Sequence, residues 1–254
     1  MKEFYITSDY QQIHAKLEMP DGVPPERAGE KCPLAIMIHG FTGHMEENHL
    51  IAICESIRKV GIATLRVDMY GHGKSSGSFK EHTLLKWIEG GLEVIHFAKK
   101  LDFVTDLYLL GHSQGGLMAM LLAGMMPDDL KALIPLAPAW MIPDAARAGN
   151  LAADEFDPDH IPDELVIWGG KILGGDYART AQLIHPEDMI AKYHGPVMII
   201  QGSGDALVPM AYAEKAAELY ENSELVVIPD DTHGFDLHLD QVTSAVEDFL
   251  MELN

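Results

Sequence analysis

The chain has 254 residues, 47% of them hydrophobic, which is enough to bury one large core. It carries 18 Lys and Arg against 39 Asp and Glu, a formal net charge of −21. That charge argues against a nucleic-acid partner, because a phosphate backbone requires a basic surface. The sequence has no run of about 18 apolar residues and no apolar signal-peptide core at its N-terminus, so we expect no membrane span and no export.

The two cysteines, Cys32 and Cys54, are too few for a disulfide framework or a metal-ligand cluster. We interpret them as small buried residues in a reducing environment, and we therefore expect a cytoplasmic protein. No other grouping of residues implies a metal ion or an organic cofactor, and none is expected.

Strand and helix patterns alternate from the N-terminus. Residues 4–7 and 13–19 predict an antiparallel hairpin at the edge of a sheet, and the alternation in the second strand predicts one solvent-facing side. The next elements predicted are a loop at 20–25, buried strands at 34–38 and 62–67, and helices at 49–60 and 83–101. The glycine-rich loop 68–77 lacks the spacing of a phosphate-binding loop, so we interpret it as a structural loop bordering the site.

The stretch from Leu107 to Ala123 carries the clearest chemical signal. Its apolar run, residues 107–110, ends in Gly111-His112-Ser113-Gln114-Gly115 and continues as an apolar helix rich in small residues. This is the strand, sharp turn and helix of a G-x-S-x-G nucleophile elbow. The glycines let strand and helix approach closely, and the strained turn exposes the Ser113 hydroxyl. Because so short a pattern also occurs by chance, the rest of the chain has to supply a base, an acid and an oxyanion site.

A second glycine-rich turn, His39-Gly40-Phe41-Thr42-Gly43, follows the strand predicted at 34–38. In this architecture one oxyanion donor lies in such a turn and the other is the residue after the nucleophile. We therefore expect the backbone N–H groups of Phe41 and Gln114 to form an oxyanion hole. We also expect Gly40 and His112 at the substrate-binding surface, with His112 and His39 as supports. An ordinary strand-to-helix turn is the alternative.

The alternation of strand and helix patterns breaks between residues 138 and 185, after a buried strand predicted at 132–137. Two apolar runs in this stretch, 165–168 and 171–173, are joined by Gly169-Gly170 and predict a small hairpin with a two-residue turn. We interpret the stretch as an inserted cap that covers the site and shapes substrate choice. A disordered linker is disfavoured by the large apolar side chains present: Trp140, Phe156, Trp168 and Tyr177.

The last part of the chain supplies an acid and a base. It resumes the alternation, with strands predicted at 196–201 and 225–228 and helices at 211–220 and 241–253. Asp205 and His233 each lie in a loop just after one of these strands, and the order Ser113, Asp205, His233 is that of the α/β-hydrolases. Asp68 is our second choice for the acid, whereas Asp230 and Asp231 are interpreted as loop charges.

The whole pattern predicts an α/β protein with the α/β-hydrolase fold, a mostly parallel central sheet flanked by helices. Residues 1–137 and 186–254 would form the core, with residues 138–185 as a small inserted cap after the sixth strand. Because the carboxyl ends of parallel strands share one edge, Ser113, Asp205 and His233 should converge there. His233 would take the proton of Ser113, Asp205 would orient the imidazole, and an acyl-enzyme would form on Ser113.

Four segments carry a family resemblance: residues 38–44, 68–75, 111–115 and 230–233. They resemble the bacterial cinnamoyl (feruloyl) esterases of the α/β-hydrolase superfamily. The resemblance covers nearly the whole chain, and residues 141–147 and 156–165 look like that family's cap. It implies a small-molecule substrate, an ester of ferulic, p-coumaric or caffeic acid.

The same resemblance implies that an acidic residue and a tyrosine of the cap recognise the ring substituents, and these match Asp144 and Tyr177. A buried phenolic hydroxyl needs a hydrogen-bond partner, so polar groups in an apolar slot are physically reasonable. Some relatives have glutamine near position 152, where this chain has Ala152, and some have glutamate in place of Asp144. The preference among these esters is therefore left open.

Two other functions stay open. One is a broad carboxylesterase or monoacylglycerol lipase on the same fold, although a long-chain lipase would need a more apolar cap than this one, which is rich in Asp and Glu. The other is a hydrolase fold used as a binding protein, which would be expected to lack a triad residue. The sequence also leaves open whether the chain forms a homodimer.

Overall fold

A computed structural model describes residues 1–22 and 31–253, so the loop predicted at 20–25 lies partly outside the described residues. The strands are β1 (Lys2–Thr7), β2 (Gln12–Glu18), β3 (Cys32–Ile38), β4 (Ala63–Val67), β5 (Val104–His112), β6 (Ala132–Leu136), β7 (Asn150–Leu151), β8 (Asp154–Glu155), β9 (Glu164–Ile167), β10 (Lys171–Gly174), β11 (Val197–Gly202) and β12 (Ser223–Ile228). The α-helices are α1 (Asn48–Lys59), α2 (Leu84–Lys99), α3 (Gln114–Met125), α4 (Ile142–Ala148), α5 (Asp176–Ala181), α6 (Pro186–Ile190), α7 (Met210–Leu219) and α8 (Leu239–Leu253).

Eight of the described strands form one sheet in the order β1-β2-β4-β3-β5-β6-β11-β12. All neighbours from β4 to β12 are parallel, whereas β1 pairs antiparallel with β2 and β2 with β4. The predicted α/β-hydrolase architecture is therefore confirmed. The core strands and helices predicted from the pattern are present, with ends that differ by a few residues.

The predicted antiparallel hairpin is present at one edge of the sheet, with β1 outermost and β2 between β1 and β4. The predicted solvent-facing side of the second strand differs. His14, which the alternation placed toward solvent, is buried, and its Nδ1 lies 3.0 Å from Asp68 Oδ2. The polar partner explains why an imidazole is tolerated there.

Helices cover both faces of the sheet. On one face, α1 and α8 pack over side chains such as Met37 and Ile134. On the other face, α2, α3 and α7 enclose a larger core that includes Trp87 and Leu117. Helix α3 lies at the centre of this layer, and its residues from Gln114 to Gly124 are all buried. The serine at its start is therefore set on a rigid element.

The stretch between β6 and β11 contributes no strand to the large sheet. It contains the short hairpin β7–β8, the hairpin β9–β10 and helices α4, α5 and α6. The predicted second hairpin is present, but its turn has three residues rather than two, because Ile167 pairs with Lys171 and leaves Trp168, Gly169 and Gly170 in the turn. Both glycines have positive φ, which a non-glycine residue would adopt only with strain.

The cysteines are both free, and Cys54 is buried as expected whereas Cys32 is partly exposed. None of the helices in the described residues is both long and apolar enough to span a bilayer.

Three histidines pack together beneath the turn that follows β3. The His72 ring lies 5.2 Å from that of His39 and 4.9 Å from that of His82. Burial lowers the pKa of His39 and His82 to about 3 and that of His72 to about 4, and in His39 and His82 the neighbouring His72 lowers it further. These rings are therefore neutral at neutral pH and serve as packing and hydrogen-bonding groups.

The buried histidines predict a loss of stability on mild acidification. In the unfolded chain histidine has a pKa of about 6.5. Between that value and the folded pKa values of about 3 to 4 the unfolded state binds more protons, so the free energy of unfolding should fall as the pH falls. Each group contributes a slope of up to about 1.4 kcal/mol per pH unit. Urea unfolding at several values between neutral pH and pH ~5 would measure this.

His72→Phe should make that slope shallower, whereas the same change at the exposed His160 should leave it unaltered. A free energy of unfolding that is constant across this range would contradict the assignment.

Candidate active site

The site is organised around Ser113, between the end of β5 and the start of α3. Its backbone has φ 57° and ψ −119°, a region that non-glycine residues rarely occupy. Three hydrogen bonds hold this conformation: the Ser113 N–H donates to Leu136 O at 2.9 Å, and the Ser113 carbonyl accepts from Ala139 at 3.0 Å and Leu117 at 3.1 Å. The strained elbow expected from the sequence is present.

Glycine is required on both sides of the elbow. A Cβ on Gly111 would lie 2.1 Å from Gly115 O, and a Cβ on Gly115 would lie 2.3 Å from Ile38 O. Both contacts are with backbone atoms, which cannot move away as a flexible side chain could. The close approach of strand and helix therefore depends on these two glycines.

Asp205 and His233 are joined by a hydrogen bond of 2.7 Å between Asp205 Oδ2 and His233 Nδ1. Burial alone would raise the pKa of Asp205. The hydrogen bond to His233, the charge of that imidazole, and the N–H groups of Val208 and Leu207 have a larger effect in the opposite direction. The pKa of Asp205 is therefore lowered overall. The carboxylate is therefore ionised at neutral pH and accepts from Nδ1–H. This tautomer leaves Nε2 of His233 as a proton acceptor.

His112 supports the loop that carries His233. Its Nε2 lies 2.7 Å from the carbonyl oxygen of His233. Burial, together with the nearby His49 and His233, holds the pKa of His112 well below its usual range, so the neutral ring donates its Nε2–H to that carbonyl. His112 therefore supports the backbone of His233 and also lines the cavity.

The turn after β3 lies directly against the serine. A Cβ on Gly40 would lie 3.0 Å from Ser113 Cβ. His39 fixes the turn, because its Nδ1 donates to Gly40 O at 2.8 Å and its Nε2 accepts from the Met69 N–H at 2.9 Å. Among residues 1–22 and 31–253, no acceptor is found for the backbone N–H of Phe41 or of Gln114. Both donors are thus available for an oxyanion.

The other candidate acids serve the framework instead. Asp68, our second choice, accepts from the N–H groups of Met45 at 2.9 Å and Lys74 at 3.0 Å. Its loop does not line the cavity itself but packs against the turn after β3, where the His72 ring lies 5.2 Å from that of His39. Asp231 is not a solvated loop charge, because it is fully buried and accepts from the N–H groups of Leu237 and His238.

Ser113 and His233 line one cavity of about 790 Å³. Its apolar wall comes mainly from the stretch between β6 and β11, with Met141, Ile142, Ala145, Ala148, Leu151 and Ala152. Its polar wall near the turn after β3 is formed by Thr42, Glu47 and His49. The volume suits a small organic molecule rather than a polymer chain.

Asp144 and Tyr177 both line this cavity, but each already has partners. The Asp144 carboxylate accepts from Arg147 Nη2 at 2.7 Å and from the Tyr212 hydroxyl at 3.2 Å. Tyr177 is only 1% exposed, and its hydroxyl donates to Gln114 Oε1 at 2.5 Å. Toward a substrate Tyr177 can therefore act only as an acceptor while that bond persists.

Several cavity residues were not singled out from the sequence, among them Glu47, His49 and Tyr212. Glu47 and His49 lie at the start of α1, where the pattern indicated only a helix, and Tyr212 lies within the first turn of α7. The sequence offered one indication of this wall, the polar residue Glu47 shortly after the glycine-rich turn 39–43. Within the described residues, no group of three His, Cys, Asp or Glu side chains is arranged to hold a metal ion.

Comparison with known proteins agrees with this architecture. Residues 29–166 match the family model for serine aminopeptidase S33, and residues 178–254 match that for TAP-like protein. Palmitoyl-protein thioesterase ABHD10 is 34% identical in Homo sapiens, over 78% of this chain and 65% of that protein. Its mouse counterpart is 26% identical, over 80% and 69% of the two chains.

Two solved structures of Est1E from Butyrivibrio proteoclasticus are more similar. One, with ferulic acid bound, is 52% identical, covers 98% of both chains and has a TM-score of 0.95. The other is 50% identical, covers 99% of this chain and 98% of that one, and has a TM-score of 0.91. The resemblance to the bacterial cinnamoyl (feruloyl) esterases is thereby confirmed: the chain is a carboxylic ester hydrolase that belongs to the serine aminopeptidase S33 family of α/β-hydrolases.

Proposed function

We propose that the chain hydrolyses esters of ferulic, p-coumaric and caffeic acids through an acyl-enzyme on Ser113, with His233 as the base and Asp205 as its partner. The observation that carries the proposal is the 2.7 Å bond between His233 and Asp205 at a cavity that also exposes the strained Ser113. The ferulic acid bound to Est1E, which is 52% identical, supports the choice of acyl group.

The first half of the reaction forms the acyl-enzyme. His233 Nε2 takes the proton of the Ser113 hydroxyl as its oxygen attacks the ester carbonyl. The carbonyl oxygen becomes negative and receives the N–H groups of Phe41 and Gln114, a pair of donors fixed before reaction. The imidazolium then gives its proton to the leaving alcohol. Asp205 stabilises that imidazolium without taking up a proton itself.

The second half releases the acid. A water takes the place of the alcohol and loses its proton to His233 as it attacks the acyl carbonyl. Collapse of this intermediate frees the carboxylic acid and returns the proton to Ser113. His112 contributes by holding the His233 carbonyl, so that the imidazole returns to one position in each step.

Residues 138–185 act in this proposal as a cap that receives the acyl group. Their apolar side chains provide a slot for an aromatic ring, and Asp144 with Tyr212 provides polar atoms within it. Ala152 lines the same wall and leaves room where a larger side chain would reduce it. A broad carboxylesterase would use the same Ser113 chemistry but would not discriminate a phenolic ring. The homodimer and the cytoplasmic location stay predictions.

Ser113→Ala should abolish turnover, because no other hydroxyl occupies the elbow. The expected loss in kcat for methyl ferulate is on the order of 10⁴-fold or more. Thermal unfolding should be little changed, since alanine retains the backbone bonds that hold the turn. Substantial residual turnover by a correctly folded variant would show that another residue is the nucleophile.

Asp205→Asn should lower kcat by about 10³- to 10⁴-fold, because an amide can hold His233 in the wrong tautomer. Steady-state kinetics on methyl ferulate would measure it. The matched control is Asp236→Asn, an exposed carboxylate that bonds Thr232 in the same loop as His233, and it should retain near-normal activity. Equal rates for the two variants would remove Asp205 from the mechanism.

Asp144→Asn should weaken recognition of a phenolic hydroxyl. The ratio of kcat/KM for methyl ferulate to that for methyl 3,4-dimethoxycinnamate, which lacks the hydroxyl, should fall about tenfold, the value of one hydrogen bond to a charged group. Glu155→Gln, an exposed change in the same stretch, serves as the control. If both esters lose equally, Asp144 supports the fold of the cap and does not contact the ring.

A further inference from the structure

One wall of the active-site cavity has polar side chains that the proposed mechanism does not use. Glu47 and His49 line this wall beside Thr42. Glu47 Oε2 and His49 Nε2 are both buried, and neither has a hydrogen-bond partner among the described residues. A buried polar atom without a partner costs free energy, because it has lost its hydrogen bonds to water. Two such atoms on the wall of a cavity indicate a ligand group that would satisfy them.

These side chains lie close to His233. The His49 ring lies 4.4 Å from that of His112, which lies 4.8 Å from that of His233, and Glu47 lines the same cavity as His233. In the proposed function, on which this inference depends, His233 returns its proton to the oxygen of the leaving alcohol. The alcohol oxygen must therefore lie next to His233 in that step, on the part of the cavity that Glu47 and His49 also line.

The chemistry of this wall favours an alcohol with further hydroxyl groups. Burial raises the pKa of Glu47, partly offset by His44 and His233, while burial lowers that of His49 to about 4. His49 is therefore neutral, and Glu47 offers a carboxyl oxygen that has no hydrogen-bond partner among the described residues. A simple alkyl alcohol brings no partner for either atom, whereas an alcohol with a second hydroxyl, one carbon beyond the carbon that bears the ester oxygen, can donate to Glu47.

We propose that Glu47, with His49 beside it, is a specificity-determining residue for the alcohol half of the ester and accepts a hydrogen bond from a second hydroxyl of a polyol or sugar. Selection for the alcohol is thus separate from selection for the acyl group by the cap. It uses residues at the start of α1, which belong to the core of the fold.

The test uses two esters that share one acyl group and differ only in the alcohol: propyl ferulate and 2,3-dihydroxypropyl ferulate. The wild type should have a higher kcat/KM for the dihydroxypropyl ester. Glu47→Leu should reduce the ratio of the two values about tenfold, the effect of losing one hydrogen bond to a charged group. In Glu47→Leu the kcat/KM for the dihydroxypropyl ester should fall more than that for the propyl ester. Glu47→Gln, which keeps an acceptor, should restore part of the ratio.

Glu55→Leu provides the matched control, because Glu55 is exposed on the same helix and lies outside the cavity; its ratio should equal that of the wild type. An unchanged ratio in Glu47→Leu, or an equal loss with both esters, would overturn the proposal. Hydrolysis of propyl ferulate that depends on Ser113 tests the proposed function separately. If neither ferulate ester is cleaved, both proposals fail together.

Discussion

The close contact between the start of α3 and the end of β3 constrains everything else at this site. Gly115 leaves no room for a Cβ beside the carbonyl oxygens of Ile38 and His39. That contact brings the turn after β3 against Ser113, and the oxyanion hole that we propose for Phe41 and Gln114 depends on it. A serine on a less crowded turn would keep its hydroxyl but lose this arrangement, and with it most of the electrostatic stabilisation available to an oxyanion.

Neutral imidazoles maintain the surroundings of the site. His39 joins the turn after β3 to the chain at Met69, and His112 joins the end of β5 to the loop carrying His233. His39 bridges two backbone groups, which requires an uncharged ring with one donor and one acceptor, whereas His112 donates through Nε2 and its Nδ1 has no partner among the described residues. Burial keeps them in that state. A charged side chain there would add an uncompensated ion beside the base.

The framework was predictable because it depends on patterns local in sequence. Apolar runs identified the strands, and the fixed spacing around Ser113 identified the elbow. The convergence of Asp205 with His233 followed from the geometry of a parallel sheet. Contacts between separate segments made the rest difficult: His14 packs against Tyr5 and Asp68, and Asp231 accepts hydrogen bonds from the backbone of residues further along its loop. Likewise, the polar wall at Glu47 depends on how a helix start meets a loop from the far end of the chain.

The bond between Tyr177 and Gln114 links α5 to the residue that follows the nucleophile, 63 positions away. Gln114 is fully buried, and its amide nitrogen already has no partner among the described residues. Replacing the tyrosine by an apolar residue would leave the amide oxygen unpaired as well. The two side chains are therefore coupled energetically: a change of Tyr177 to an apolar residue should cost less stability when Gln114 is also replaced by a residue with fewer polar atoms.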